Sequence, residues 1–431
     1  MRGQEKMKIL FKNARILTMI DENIIEGDLV VDNNRIAYIG KESNKFGPFD
    51  RVIECEQNLL MPGFKNAHSH SAMVFLRGKA DDATLQDWLF KIVFPREAHL
   101  IPSDTYYLNK VAYLEYLSSG ITACFDHYFA PLEGAKAAEE MGMRTLLLAT
   151  YDEKYNRGED ILKNFHYFND KKDGLVRYIL GFHAEYTTDD SLLKGTKETI
   201  AKLKCPFYTH IAETQKEVDE CKQRHDKTPA KYLYEEGLFK YGGGGFHCVY
   251  LSEEEVKIFK ENNLSIISCP ASNAKLASGI APLTYYFKQG INIALGTDGP
   301  ASNNGLDMFK EMYLAATLQK LVNHDAKSIP AFEILKMATV NAAKVMGLDQ
   351  ADVLAPNKYA DLIMIDLHKP NMQPINNIIT NLVYAGSKDN VKLTMINGRI
   401  LYEDGQYFIN EKIEDIYQKA AEITSRLEKE L

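Results

Sequence analysis

Two histidines separated by one residue stand out in the segment PGFKNAHSH. Side chains alternate along an extended backbone, so His68 and His70 share a face and can both reach one cation at ~2.1 Å. Alone, such a pair reads as two hydrogen-bonded polar residues in a loop. The remaining histidines change that reading. His127, His183, His210 and His247 each close a β-rich run, and Asp298 closes the last one. Three imidazoles and one carboxylate (His68, His70, His210, Asp298) suit a divalent cation with one position left open for water. Zinc is the first expectation, with iron or manganese as alternatives. No lysine ends the run LVRYILGFH, so nothing there would bridge two ions, and a single ion per subunit is expected. Such an ion lowers the pKa of a water towards ~7 and makes a nucleophile available at neutral pH.

HIAE sets Glu213 three residues beyond His210. From there Glu213 can lean over the open position and carry protons, or it can serve as a helix N-terminal carboxylate. The spacing alone does not separate the two. His247 reads either as a group that orients or deprotonates the water, or as a strand-end histidine bonded to backbone. Other chemistry is set aside by inspection. His183-Ala-Glu185 has the HxE form of the nucleobase deaminases, but no PCxxC follows it. HExxH, GxxxxGK[ST] and GxSxG are all missing from the sequence. The glycine run 242–245 lacks GxGxxG spacing and reads as a flexible loop before a strand. Cys248 reads as a buried thiol, and His99, His166, His225, His324 and His368 as surface or capping residues.

Residues this far apart need a scaffold that gathers strand ends. Beyond residue 63, β-rich runs alternate with helical patterns: 120–126, 143–150, 175–183, 206–210, 244–251, 264–270 and 291–298. Repeated alternation predicts parallel strands with crossover helices. With the segment ending near His68 there are eight, and residues 59–356 comfortably exceed the ~250 that a (β/α)8 TIM barrel needs. In that fold the C-terminal strand ends meet at one mouth, which would unite all the residues above. A doubly wound open sheet is the competing α/β arrangement. Residues 8–58 and 358–408 instead carry short alternating runs and an Asn-Gly turn. Neither end has enough strands alone, so segments 1–58 and 357–431 are expected to form one composite β-sandwich beside the 59–356 barrel. Residues 411–431 read as a surface helix.

Composition narrows the class. The 431 residues carry 51 Lys and Arg against 59 Asp and Glu, a net charge of −8 that disfavours nucleic acid as a partner. No apolar run approaches bilayer-spanning length, and charges interrupt the first residues, so neither a membrane nor a secretory signal is expected. Six cysteines without a CxxC pair point to reduced thiols and a cytoplasmic enzyme.

With these residues in view, the chain resembles the amidohydrolase superfamily over nearly its full length. More narrowly, it resembles the S-adenosylhomocysteine/5′-methylthioadenosine deaminases. The resemblance runs through PGFKNAHSHSAM, LQDWLFKIVFPRE, HIAETQKEV, GFHCVYLSEEE, SNAKLASGIAPL, GTDGPASNNGLDMFKEM and ADLIMIDL. HxH is shared across the superfamily, whereas the WL…FPRE and GTDGPASNN blocks belong to this branch. The resemblance implies His68, His70, His210 and Asp298 as metal ligands, Glu213 as the proton-shuttling glutamate and His247 as the water-orienting histidine. It implies Glu97 on the substrate ribose, His183 on the substrate and Trp88 near base or ribose, with Glu213 and Asp298 also meeting the substrate. Arg144 and Arg157 fall near arginines that meet the amino-acid carboxylate of S-adenosylhomocysteine. The plain alternatives are solvated arginines, an exposed carboxylate for Glu97 and a core aromatic for Trp88.

The chain departs from relatives at Ser268, Ala274 and His127, none of them a proposed ligand. The pocket beyond the purine ring, and with it the favoured 5′ substituent, is where these changes would act. The implied reaction is hydrolytic deamination of the adenine ring of S-adenosylhomocysteine, 5′-methylthioadenosine or adenosine, giving the inosyl product and ammonia. The implied partners are a small purine nucleoside and further copies of the chain in a homo-oligomer. Deamination of 5′-deoxyadenosine, guanine or cytosine, or a hydrolytic dechlorination, would use the same ion. A metal-free scaffold protein and a dinuclear amide hydrolase such as a hydantoinase are the more distant alternatives.

Overall fold

A computed structural model describes residues 7–79, 81–82, 87–151 and 158–431. Eight parallel strands follow one another in sequence order: β6 (Phe64–Ser69), β7 (Ile121–His127), β8 (Arg144–Thr150), β9 (Val176–Ala184), β10 (Phe207–Ile211), β11 (Gly243–His247), β12 (Ser265–Ser268) and β13 (Asn292–Leu295). Their Ile-, Leu- and Phe-rich stretches are buried on both faces, as parallel strands between helices and a barrel interior must be. The two ends of the sheet meet. Just past β13, the Asp298 amide donates to the His68 carbonyl (3.0 Å), and Asn66 and Thr297 exchange two further hydrogen bonds of 2.7 and 2.9 Å. This is the expected (β/α)8 barrel.

The glycine run 242–245 departs from its reading as a loop. Gly243, Gly244 and Gly245 lie within β11, where a Cβ on Gly243 would stand 1.8 Å from the Phe207 carbonyl oxygen. Close strand approach, not flexibility, demands those residues. The strand also ends at His247 rather than running on, because His247 and Cys248 both adopt positive φ (66° and 49°).

The chain ends form a nine-stranded mixed sheet. It holds β1 (Lys8–Leu17), β2 (Ile24–Asp32), β3 (Arg35–Gly40), β4 (Arg51–Glu54), β5 (Leu59–Pro62), β14 (Leu362–Ile365), β15 (Val391–Ile396), β16 (Arg399–Glu403) and β17 (Gln406–Tyr407). The two ends are joined by antiparallel pairing of β5 with β14, Leu362 opposite Pro62. Phe11, Ile16, Val31, Leu60, Leu362 and Met395 share one core, so neither end buries its apolar face without the other. Residues 59–62, expected with the barrel, form β5 of this outer sheet; the crossover to the barrel falls at Gly63.

The last helix, Ile413–Lys429, lies on the surface with Ile416, Ile423 and Leu427 turned inward. Ile423 and Leu427 pack in one cluster with Trp88, Leu89 and Val93, and Glu428 pairs with Arg96 at 3.0 Å. The C-terminal helix thereby supports the segment that carries Trp88 and Glu97 over the barrel mouth.

Candidate active site

β6 delivers His68 within the strand and His70 one residue past its end, both facing the mouth. β10 contributes His210 and β11 contributes His247, while Asp298 follows β13 by three residues. Asp298 Oδ1 lies 3.4 Å from His68 Nε2 and 3.3 Å from His70 Nε2. Donor atoms of His68, His210, His247 and Asp298 lie within 4.8 Å of one another, and so do those of His70, His127 and His210. All four expected ligands are therefore brought together, although His70 meets the set through Asp298 and His210.

The neighbours fix which nitrogen faces inward. His70 Nδ1 donates to the His127 carbonyl and His210 Nδ1 to the His183 carbonyl, both at 2.6 Å. Nδ1 of His247 is 2.8 Å from Asn273 Oδ1. Each leaves Nε2 free for the centre, the arrangement in which outer partners set the tautomer of metal-binding histidines. His68 is fully buried and neither of its ring nitrogens has a hydrogen-bond partner. Two orphaned imidazole nitrogens beside a buried carboxylate cost several kcal/mol unless a further group satisfies them, and a divalent cation does so.

The electrostatics agree at His68 and His210, whereas Asp298 raises His70 against its burial. Burial pushes His68 down to about 3 and His210 well below its ordinary range, so both stay neutral, as cation binding requires. Burial would raise the Asp298 carboxyl, but the imidazoles of His68, His70 and His247 around it outweigh burial and hold the group well below the usual carboxylate range. Ser272 and Ser302 hydroxyls donate to Asp298 Oδ2 at 2.6 and 2.9 Å and fix its orientation.

Glu213 lies in the turn after β10, with its carboxylate buried. It accepts the Ser278 hydroxyl at 3.2 Å and stands 3.9 Å from His247 Nε2. Glu217 holds that turn, accepting the amides of Ala212 (2.7 Å) and Glu213 (2.8 Å). Burial raises the Glu213 carboxyl from its ordinary value, with His247 partly offsetting it. A carboxyl so placed, buried and facing the cavity, can pass a proton to and from a group bound above it.

Above these groups lies a cavity of about 300 Å³. Trp88, Glu97, His127 and His183 line it together with His70, His210, Glu213, His247 and Asp298. Tyr128 donates to Glu97 at 2.6 Å, and burial pushes Glu97 upward. Trp88 is buried with its indole N–H unpartnered, so it is a cavity wall as well as part of the core.

Arg144 does not belong here. It opens β8, at the end of the barrel opposite the mouth, and is buried in a bidentate pair with Asp361 at 2.6 and 2.9 Å. The expectation that it meets a substrate carboxylate is overturned: the residue leading into a strand faces the barrel floor, and only residues at the strand's far end reach the site. Arg157 lies outside the described residues. Of the departures, Ser268 and Ala274 do not line the cavity, whereas His127 does. Glu185, the acidic half of the dismissed HxE, turns to Arg224 (3.0 Å) and His225 (2.8 Å).

Sequence reasoning missed the supporting residues Ser272, Asn273, Ser278, Ser302 and Glu217. Four of them sit inside the quoted SNAKLAS and GPASNN blocks, and Glu217 inside HIAETQKEV, but their spacing carries no chemistry until the loops fold.

The amidohydrolase family profile matches residues 59–401, which span the whole barrel and every residue of this centre. The chain belongs to the amidohydrolase family. Among amidohydrolase relatives, it is 40% identical over 407 residues to the 5-methylthioadenosine/S-adenosylhomocysteine deaminase of Thermoanaerobacter pseudethanolicus, covering 92% of this chain and 94% of that one. It is 36% identical to the 5′-deoxyadenosine deaminase of Methanosarcina mazei, covering 96% and 98%. A zinc-bound adenosine deaminase from Xanthomonas campestris superposes with a TM-score of 0.90 at 28% identity, over 98% of both chains.

Proposed function

We propose that this amidohydrolase is a hydrolytic deaminase of 5′-substituted adenosines, taking 5′-methylthioadenosine or S-adenosylhomocysteine to the inosyl product and ammonia. The observation that carries the reading is the buried imidazole–carboxylate cluster facing Glu213 and His247 across the cavity floor. It is supported by relatives of 36–40% identity named as adenosine-type deaminases.

His68, His70, His210 and Asp298 would hold one divalent ion. Zinc is favoured because the Xanthomonas structure has it bound and the donor set suits it; iron and manganese are the alternatives. When bound, the ion supplies Lewis-acid activation of a water at neutral pH. Glu213 gives its proton to ring nitrogen N1 as C6 is attacked, then takes the proton of the hydroxyl added at C6 and passes it to the departing amine. His247, held by Asn273, orients the attacking water and accepts its hydrogen bond. Asp298 takes up the water's first proton and gives it back as ammonia leaves, restoring Glu213 to its acid form. Glu97, steadied by Tyr128, receives the ribose hydroxyls; His183 and Trp88 bound the purine and sugar.

With Arg144 on the barrel floor, a carboxylate-bearing tail must find its partner elsewhere. Arg157 is the remaining proposal for that contact. Six free cysteines fit a reduced, cytoplasmic setting, and no helix among the described residues is long and apolar enough to cross a membrane. A homo-oligomer is part of the same proposal.

The test is a spectrophotometric screen of adenosine, 5′-deoxyadenosine, 5′-methylthioadenosine and S-adenosylhomocysteine on the zinc-loaded protein. Turnover of the thioether substrates at least as fast as the others supports the reading. A marked preference for 5′-deoxyadenosine would move the chain to the activity named for the Methanosarcina relative, and no turnover of any adenosine would end it.

A further inference from the structure

Glu311 is a fully buried carboxylate with no part in the chemistry above. It sits in the first turn of the helix Met308–Val322 and shows no exposed surface. Its two oxygens are divided between two separate segments. Oε2 accepts the amide of Ala271 at 3.0 Å, and Oε1 accepts the side-chain amide of Asn303 at 2.7 Å.

Both segments lead to the catalytic centre. Ala271 stands at the start of the short helix Pro270–Lys275. The next two residues are Ser272, whose hydroxyl holds Asp298 Oδ2 (2.6 Å), and Asn273, which meets His247 Nδ1 (2.8 Å). Asn303 belongs to the loop after β13. It follows Ser302, the second hydroxyl on Asp298 Oδ2 (2.9 Å), and it also donates to the Thr297 carbonyl (2.7 Å) beside Asp298. Lys310 locks the other end of the Asn303 amide at 2.6 Å, so its orientation is set. One carboxylate thus spans the only two segments that supply hydroxyls to the Asp298 carboxylate among the described residues.

We propose that Glu311 is a positioning residue: it clamps the Pro270–Lys275 helix to the 299–304 loop and so sets the aim of Asp298 and His247 together. Two accepting oxygens are needed because both contacts are donors. Glutamine has nearly the same shape but only one accepting oxygen, so its NH2 would face either Ala271 N–H or the Asn303 amide. One of the two ties must break. Asp298 then keeps both serines while losing their fixed separation, and small displacements at a reacting centre weigh heavily on rate. This inference rests on the proposed metal-dependent reading of Asp298 and His247.

The experiment compares the parent with Glu311→Gln, Asn303→Ser and a control, Glu255→Gln. Glu255 is an equally buried carboxylate that caps the Ala230 amide (2.8 Å) and, among the described residues, makes no hydrogen bond to the segments that hold Asp298 and His247. Each is loaded with cobalt(II), and the visible ligand-field spectrum, cobalt affinity against a chelator, thermal midpoint, and kcat and KM for 5′-methylthioadenosine are measured. Expected for Glu311→Gln and Asn303→Ser are an altered cobalt spectrum and a kcat about tenfold lower with KM within about twofold. Glu255→Gln should lose thermal stability while keeping the parent's spectrum and kcat. A parent-like spectrum and kcat in Glu311→Gln or in Asn303→Ser overturns the proposal, as does the same spectral change in Glu255→Gln. Failure of the parent itself to bind cobalt would instead count against the metal-dependent reading on which this rests.

Discussion

Replacing Glu213 by glutamine isolates proton transfer from everything else the residue does. The glutamine oxygen can keep the Ser278 hydrogen bond, which is 3.2 Å in the parent. Its amide then occupies the place of the oxygen 3.9 Å from His247 Nε2. Among the described residues no other hydrogen bond or ion pair ties the carboxylate, and Glu217 holds the turn through backbone amides that the substitution leaves alone. Stability should therefore move by no more than about 1 kcal/mol. Glu213 also stands outside both groups of converging donors, so the cation content should be unchanged. An amide N–H can still donate to N1 of the purine but cannot give up a proton. KM should accordingly shift less than kcat. A positioned general acid–base contributes about 10²–10⁴ in rate, equivalent to about 2.7–5.4 kcal/mol at the transition state. The assay is the initial rate of adenine absorbance loss with 5′-methylthioadenosine, run beside elemental analysis of the same preparation. A kcat within about threefold of the parent, with a full complement of metal, would remove Glu213 from the chemistry.

Three further outcomes are expected. Stripping the cation with a chelator should abolish turnover and lower the thermal midpoint, because His68 is left with two unpartnered nitrogens; an ion at about 100 times its Kd contributes about 2.7 kcal/mol. A chelated protein melting at the parent's temperature would show that the cluster holds no ion. Arg144→Met should destabilise the fold by about 3–5 kcal/mol, measured by denaturant unfolding, by stranding the buried Asp361 carboxylate. The ratio of KM values for S-adenosylhomocysteine and 5′-methylthioadenosine should not change, and a selective loss for S-adenosylhomocysteine would return Arg144 to the site. Glu97→Gln should raise KM for 5′-methylthioadenosine about tenfold with little effect on kcat. An unchanged KM would detach Glu97 from the ribose.

Much of this molecule was legible before folding. Periodicity reports burial, so the alternation of apolar runs with helical patterns was enough for a parallel barrel, and the incomplete strand sets at both termini were enough for their pairing with each other, but not for the part that residues 59–62 take in it as β5. The centre was legible for a related reason. In a parallel barrel every strand delivers its last residue to the same mouth, so His68, His210, His247 and Asp298 announce themselves by ending β-rich runs. The same rule, applied to strand starts, would have excluded Arg144: it stands at the head of β8, and its charge is answered by Asp361 from 217 positions away. No local pattern carries that pairing.

Folding alone decided the supporting shell. Glu217 closing the turn beneath Glu213, the two serines on Asp298 and the Glu311 clamp each depend on loops whose path is set by packing, not by period. The glycines of β11 show the same limit, since the sequence presents a glycine run and only the neighbouring strands reveal how little space surrounds it. Residue type and spacing select the chemistry because valence and strand geometry are local properties. The aim of each group, and which charges meet across the barrel, belongs to contacts that exist only once the chain has closed on itself.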